Sequence, residues 1–193
     1  MARKIFYQTD DGVFAKGSGY LFAIEAANFQ RDNFDLDDMV EIGYIRESAT
    51  FKHTQETQEV TTANYGTIAV LGGNAESTFE TGIITYNANN VAKFLTGNSI
   101  VKSNGKNITY GSTKYQRPEV ALVFVSDKTD PDYTLVMPKC VWIGDYELDF
   151  NNDNPIEFNY NFKCLDVTMP NGEIGSYWEI TKAETENETP ANP

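Results

Sequence analysis

The chain holds one histidine and two cysteines in 193 residues, and these scarcities exclude whole classes of chemistry. Base-assisted nucleophilic catalysis usually sets a histidine against a serine or cysteine. The single histidine, His53, stands in a Thr and Gln rich stretch with no such nucleophile beside it in sequence, so it reads as an exposed strand residue. Cys140 and Cys164 are too few for a disulfide framework and have no compact metal-ligand spacing, which leaves free thiols as the reading. No GxGxxG follows a strand, and GxxxxGK[ST] and HExxH are both missing, so phosphate cradles and zinc-protease sites lack their required residues. No run approaches the roughly 20 apolar residues of a membrane helix, and Met1 to Asp10 lacks the apolar core of an export signal. A soluble product made in the cytoplasm, with no membrane partner, is expected. Cations are also short. With 15 Lys and Arg against 28 Asp and Glu the formal charge is −13, which opposes sequence-independent gripping of a phosphate backbone, because that affinity comes from cations displacing counterions.

What is present argues for a folded, mainly β domain. The hydrophobic fraction is 40% and aromatics reach 13%, enough to offset the conformational entropy of ordering a single domain of this length. We place that domain at residues 1–180, opening with an extended arm, and read residues 181–193, rich in Glu, Thr, Asn and Pro, as an acidic flexible tail. Strands are expected at Tyr20 to Ile24 and Val40 to Ile45, with a polar loop between them at Arg31 to Asp38 that carries Asp32, Asp35, Asp37 and Asp38. Phe51 to Gly66 is nearly empty of large apolar residues and suits a long hairpin with two wet faces, marginal alone and in need of a partner. Thr67 to Leu71 reads as a short strand ended by Gly72-Gly73. From Asn74 to Tyr86 the pattern alternates, Ser77, Phe79, Thr81 and Ile83 on one face against Glu76, Thr78, Glu80, Gly82 and Ile84 on the other.

One helix is expected, Ala88 to Thr96, with Asn87 as N-cap, Gly97 closing it, and Val91, Phe94 and Leu95 forming a buried stripe that leaves Lys93 outside. Asn98 to Gln116 reads as a loop or loose hairpin. Glu119 to Ser126 and Tyr133 to Met137 are apolar strands. Lys139 to Phe150 and Pro155 to Val167 form an antiparallel pair across Asn151 to Asn154. Setting Leu148 opposite Ile156 brings Tyr146 to Phe158, Gly144 to Tyr160, Trp142 to Phe162 and Cys140 to Cys164. The two cysteines could then be bridged, although reduced core thiols are favoured.

Candidate sites are weighed against plainer readings. Asp149 to Asn154 resembles a calcium loop in its alternating oxygen ligands, yet position twelve would be Tyr160 rather than glutamate and position six is not glycine, so a hairpin turn is favoured. The aspartates at 32–38 read as a solvated run. Glu41, Glu56, Glu59, Glu76 and Glu80 all fall on strands or their edges. They are either an ordinary wet sheet face or a negative surface past which a polyanion slides without sticking.

The order of these parts resembles the tail tube (major tail) proteins of long-tailed bacteriophages. The resemblance rests on the polar hairpin Phe51 to Gly66, on the strand Asn74 to Asn87 running into the helix at Asn90 to Gly97, and on the pair Tyr146-Glu-Leu-Asp-Phe150 and Ile156-Glu-Phe-Asn-Tyr-Asn-Phe162. It covers about half the chain as a pattern of elements rather than a fingerprint. The resemblance implies a β-sandwich or half-barrel with one flanking helix, hexameric rings, and rings stacked into a hollow virion tube assembled in the host cytoplasm and used in DNA ejection. It implies lumen-facing Glu41, Glu56, Glu59, Glu76 and Glu80. It also implies inter-ring or inter-subunit contacts from Phe51, His53, Gln55, Thr57, Gln58, Thr61 and Tyr65. Partners would be copies of the chain, a tape-measure protein and tail-completion proteins, with DNA passing unbound and with no cofactor, metal or enzymatic activity. The insertion at Asn98 to Gln116 and the C-terminal tail depart from the shorter members of that family. A second reading is a β-sandwich binding module in which Trp178, Tyr177 or Tyr115 stacks on a sugar or a protein, although closing the core near the C-terminus is the favoured role of Tyr177 and Trp178. An enzyme ranks third, because it would need a deep pocket with converging polar groups.

Overall fold

Alternation of large apolar and polar residues builds most of this molecule, and it does so as one antiparallel sheet. The computed structural model describes residues 6–9, 12–15, 19–43, 45–62, 64, 66–83, 87–111, 116–129, 131–144 and 158–181. In chain order the strands are β1 (Phe6–Thr9), β2 (Gly12–Ala15), β3 (Tyr20–Glu25), β4 (Val40–Gly43), β5 (Ile45–Thr62) and β6 (Gly66–Ile83). After a helix, α1 (Ala88–Val91), come β7 (Ser99–Ser103), β8 (Lys106–Tyr110), β9 (Glu119–Val125), β10 (Tyr133–Trp142), β11 (Phe158–Cys164), β12 (Val167–Thr168), β13 (Ile174–Gly175) and β14 (Trp178–Thr181). The main sheet runs β4-β3-β9-β10-β11-β6-β5, with β14 also paired to β10, while β1-β2, β7-β8 and β12-β13 are separate two-stranded ribbons. Where the extended arm was expected, β1 and β2 pair as a hairpin, and Thr181, the first residue of the expected tail 181–193, ends β14; the rest of the arm and tail, Tyr65, Tyr115, the Asn151 to Asn154 turn and the pairs Leu148 with Ile156 and Tyr146 with Phe158 lie wholly or partly outside the described residues.

The sheet is strongly curled. Gly43 ends β4 at one end of the strand order and Ile45 begins β5 at the other, and two residues of chain span no more than about 7 Å. The two ends of the sheet must therefore converge there. Phe79 of β6 and Phe124 of β9 stand three strand spacings apart, about 14 Å in a flat sheet, yet their ring centroids are 6.0 Å apart. The result is a half-barrel whose concave side holds the main core: Leu21, Ile42, Phe79, Ile83, Leu122, Leu135, Met137, Trp142, Tyr160 and Phe162. On the convex side, Phe22, Ala121, Val123, Val125 and Val136 are covered by Phe29 and Met39 and by partly buried Trp178. Strand β9 is thus apolar on both faces because both are covered.

Much of the expected pattern is found, with corrections that each have a physical cause. Ser77, Phe79, Thr81 and Ile83 are all buried, and Trp142 pairs with Phe162 and Cys140 with Cys164. Tyr133 to Met137 and the strand expected from Lys139 form one strand, β10. Its register slips by one residue between Met137 and Cys140, where Pro138, lacking an amide hydrogen, suits a bulge. Likewise the hairpin expected within Phe51 to Gly66 is larger. Thr67 to Leu71 and the strand beginning at Asn74 join into the single 18-residue β6, which pairs along the 18-residue β5. Gly72-Gly73 is a bulge inside β6 rather than a turn, since Gln55 faces Ala75 and Thr57 faces Gly72. A Cβ at Gly73 would lie 3.2 Å from the Glu56 carbonyl oxygen, so the small residue suits the close backbone approach at the bulge.

The helix starts and stops where expected. Asn87 Oδ1 accepts from the amides of Asn89 and Asn90, and Gly97 takes φ 67°. Its second half, Ala92–Thr96, opens into a π-type turn, which keeps Val91, Phe94 and Leu95 all buried against the sheet. The surface ion pair from Lys93 to Glu25 at 3.5 Å adds less than about 1 kcal/mol. Asn98 to Gln116 contains a true hairpin, β7-β8. Its two-residue turn Asn104-Gly105 has positive φ at both positions, the geometry that matches strand twist. The loop at 31–38 includes one 3-10 turn, Leu36–Asp38, capped by the Asp35 side chain accepting from the Asp37 amide at 3.0 Å.

Phe79 touches both wings of the curl, so Phe79→Ala should lower the unfolding free energy by about 3–5 kcal/mol. Val70→Ala, on the projecting end of the hairpin, should change it by less than about 0.5 kcal/mol. Urea titrations followed by tryptophan fluorescence compare the two.

Candidate functional site

Strands β5 and β6 divide at their bulge into two unlike halves. In the near half, Phe51 pairs with Phe79 and His53 with Ser77, and β11 lies along the other edge of β6 from Ser77 to Ile83. Beyond Gln55 and Ala75 no described strand flanks either edge, and seven residues at about 3.4 Å each carry the ribbon roughly 24 Å outward. Here the faces are open as well. Val70 is 60% and Leu71 53% exposed, and Val60 is also exposed. A bare two-stranded ribbon with unpaired edges is marginal and invites another chain.

The expected contact residues separate along this division. Gln55, Thr57, Gln58 and Thr61 are exposed on the projecting part. Phe51 and His53 are engaged at home, because Tyr177 stacks on both, with ring centroids at 4.5 Å and 5.4 Å. His53 is an exposed residue of β5, as expected, and across the hairpin its Nδ1 lies 2.8 Å from Ser77 Oγ, which lies 2.8 Å from Ser176 Oγ. The serine was hidden in sequence because it stands across the hairpin. Ser77 and Ser176 are both buried, so the contact ties the hairpin base to the C-terminal segment and gives no nucleophile access to solvent.

The five glutamates do not form one surface. Glu76 and Glu80 share the convex face of β6 with Thr78, flanked by Thr50, Lys52 and Thr54 of β5 and by Asn161 and Lys163 of β11. On this face Lys163 Nζ sits 3.0 Å from Glu76 Oε1. Glu56 belongs to an open polar groove at the bulge with Thr54, Asn74, Glu76 and Lys163. Glu59 accepts from Thr67 Oγ1 at 3.2 Å on the projecting ribbon. Glu41 lies on β4, where Lys128 Nζ donates to its Oε2 at 2.6 Å. Sequence reasoning missed the lysines, since only the cross-strand register brings Lys52 and Lys163 among the carboxylates. The face shared by β5, β6 and β11 is hydrophilic and carries both signs of charge rather than being uniformly acidic.

Residues proposed for stacking are committed elsewhere. Tyr177 covers Phe51 and His53, and Trp178 lies 6.4 Å from Phe29 in the convex cluster. Among the described residues no three His, Cys, Asp or Glu side chains converge as metal ligands. No helix among them is long and apolar enough to cross a membrane.

The thiols face each other inside the core. Leu165 N donates to Lys139 O and Ile143 N to Asn161 O, each at 2.8 Å, so Cys140 and Cys164 occupy the intervening non-hydrogen-bonded pair, where side chains approach most closely. Their Sγ atoms are 3.5 Å apart and unbonded. Burial, then the contact with Cys164, pushes the Cys140 thiol well above its ordinary range. Burial followed by the Glu179 carboxylate does the same for the Tyr133 phenol.

No family model and no curated protein sequence matches the chain. Among solved structures it is similar to a chain from the virion of a native gene transfer agent particle. The identity is 10% over 89% of this chain and 99% of that one, with a TM-score of 0.38. That superposition is too loose to define a shared fold.

Both raised groups ionise more easily once unfolded. Their contribution to stability is therefore complete below the unfolded thiol value of about 8.5 and is lost as pH climbs from there. Urea midpoints should fall between about pH 8 and pH 10.5, and the Cys140→Val, Tyr133→Phe double variant should show a visibly shallower fall.

Proposed function

We propose that this chain is a structural virion protein, a tail tube subunit that assembles with copies of itself into stacked hexameric rings through which DNA passes. The observation that carries the reading is the ribbon beyond Gln55 and Ala75. It is fully formed as β structure, yet both faces are exposed and no described strand lies on either edge. Nothing in the described part of its own chain completes it, whereas a neighbouring copy would supply the missing edges and cover Val60, Val70 and Leu71. Gln55, Thr57, Gln58 and Thr61 are the contact residues of this reading.

In the assembly, the face carrying Thr50, Lys52, Glu76, Thr78, Glu80, Asn161 and Lys163 lines the lumen. It offers DNA a wetted wall of alternating sign that holds phosphate weakly, since each lysine has carboxylates as neighbours, and the chain as a whole repels polyanions with its charge of −13. The protein works by geometry and charge, without catalysis or cofactor, and its location is the virion tail. The alternative of a sugar- or protein-binding module is disfavoured because Tyr177 and Trp178 already pack within the chain.

Concentrated wild-type protein should form rings or tubes under negative-stain electron microscopy. A variant in which an Asn-Gly turn replaces residues 56–74 should keep the circular dichroism spectrum of the folded sheet and remain unassembled at the same concentration. A wild-type protein that stays monomeric, or a trimmed variant that polymerises unchanged, would end this reading.

A further inference from the structure

The tube reading leaves the two core thiols without a role, yet they stand at a junction of the sheet. Cys140 and Cys164 belong to one row that crosses five strands, with Val120 beside Cys140, Ser77 beside Cys164 and His53 beside Ser77. On one side β10 carries β9 and, beyond it, β3 and β4, while on the other β11 carries β6 and the long hairpin. Among the described residues the two halves meet along a short seam of paired residues, Cys140 with Cys164, Val141 with Lys163 and Trp142 with Phe162.

The position of the sulfurs suits them to be joined. In a non-hydrogen-bonded antiparallel pair the Cα atoms stand about 4.5 Å apart, within the range a disulfide spans. The Sγ atoms, 3.5 Å apart, need about 1.5 Å of further approach, which rotation about the two Cα–Cβ bonds supplies. Little holds them back, since Cys140 Sγ has only a weak contact with Met137 O at 3.8 Å. Cys164 is the last residue of β11 and keeps 5% exposure where Cys140 has none. Local opening of that strand end therefore brings a reagent to Cys164 first.

We infer that Cys140 and Cys164 are a dithiol site oxidised by small-molecule disulfides, whose closure staples β10 to β11 and ties the hairpin-bearing half of the sheet to the rest. The Cys164 thiolate attacks one sulfur of the small disulfide and expels its other half as a thiolate. The Cys140 thiolate then attacks the Cys164 sulfur of the mixed disulfide and expels the second small thiolate. Two electrons pass from the protein sulfurs to the reagent, and the two thiol protons end on the two small thiols released. Burial keeps the Cys140 proton in place, so the second step is the slower one and quickens as pH rises. The bond closes the loop of residues 140–164 and restricts the unfolded chain, the main source of its stabilisation. The inference stands on the core alone and holds whether or not copies of the chain assemble.

Oxidised glutathione, added to the full-length protein at about pH 8 where thiolate begins to form, tests it. The intact mass should fall by about 2 Da as two hydrogens leave, and neither cysteine should then alkylate in denaturant. The thermal midpoint should rise by about 5–10 °C and return on reduction. Cys140→Ala should stop at the adduct carrying one glutathione, because the resolving thiol is gone, and the wild-type result decides the inference even if that variant does not fold. Persistence of both free thiols after overnight oxidation, in buffer and in urea kept below the unfolding transition, would overturn it. So would a wild-type adduct that never resolves, or bonds between chains on a non-reducing gel in place of the internal one. An internal bond that lowers the thermal midpoint would mean strain in place of a staple and would also end the inference.

Discussion

Two 18-residue strands pair from one end to the other across three register shifts, but large buried side chains lie at only one end of the pair. On β6 the inward positions after the bulge are Ser77, Phe79, Thr81 and Ile83, and opposite them stand Phe51 and His53. Before the bulge the corresponding stretch has Gly66, Thr67, Gly72 and Gly73, with Val70 and Leu71 facing water. The anchored half fixes where the free half points, and the free half lacks the apolar face that would let it fold back onto its own domain. A ribbon held rigidly at one end and unsatisfied at the other is the feature on which the assembly reading depends.

The anchor in turn depends on the curl of the sheet. Because the chain passes from β4 to β5 across a single residue, the strand paired to β3 becomes the strand paired to β6, and the sheet must bend round to meet itself. That bend brings Phe79 against Phe124 and makes one enclosed core from strands remote in the sheet order. The helix Ala88–Thr96 closes part of the concave side with Val91, Phe94 and Leu95. Tyr177, Ser176 and Trp178 of the C-terminal segment clamp the hairpin base on one side and the convex cluster on the other.

Charge is distributed to the same end. The net charge of −13 discourages adhesion to DNA and also works against self-association, so copies that assemble need local neutralisation. Lys163 beside Glu76 and Lys128 beside Glu41 supply it within the chain.

The elements were largely legible in the sequence because their signals are local. Alternation at Ser77 to Ile83, the Asn87 and Gly97 caps, and the aromatic register of Trp142 with Phe162 each rest on side chains within a few residues of one another or across one strand pair. The strand breaks at Pro138 and Gly72-Gly73 were misread because the same residues signal a turn or a bulge, and only the partner strand chooses between them. The acidic face was legible as glutamates and not as a mixed wall, since Lys52 and Lys163 reach it from other strands. His53 looked isolated because Ser77 and Ser176 come to it from far along the chain. Local periodicity, a physical property of adjacent side chains, was thus determined by the sequence itself. The closure of the sheet, the neighbours of each charge and the division of the long hairpin into a buried and a free half were decided only in three dimensions, where burial depends on which distant strand covers which face.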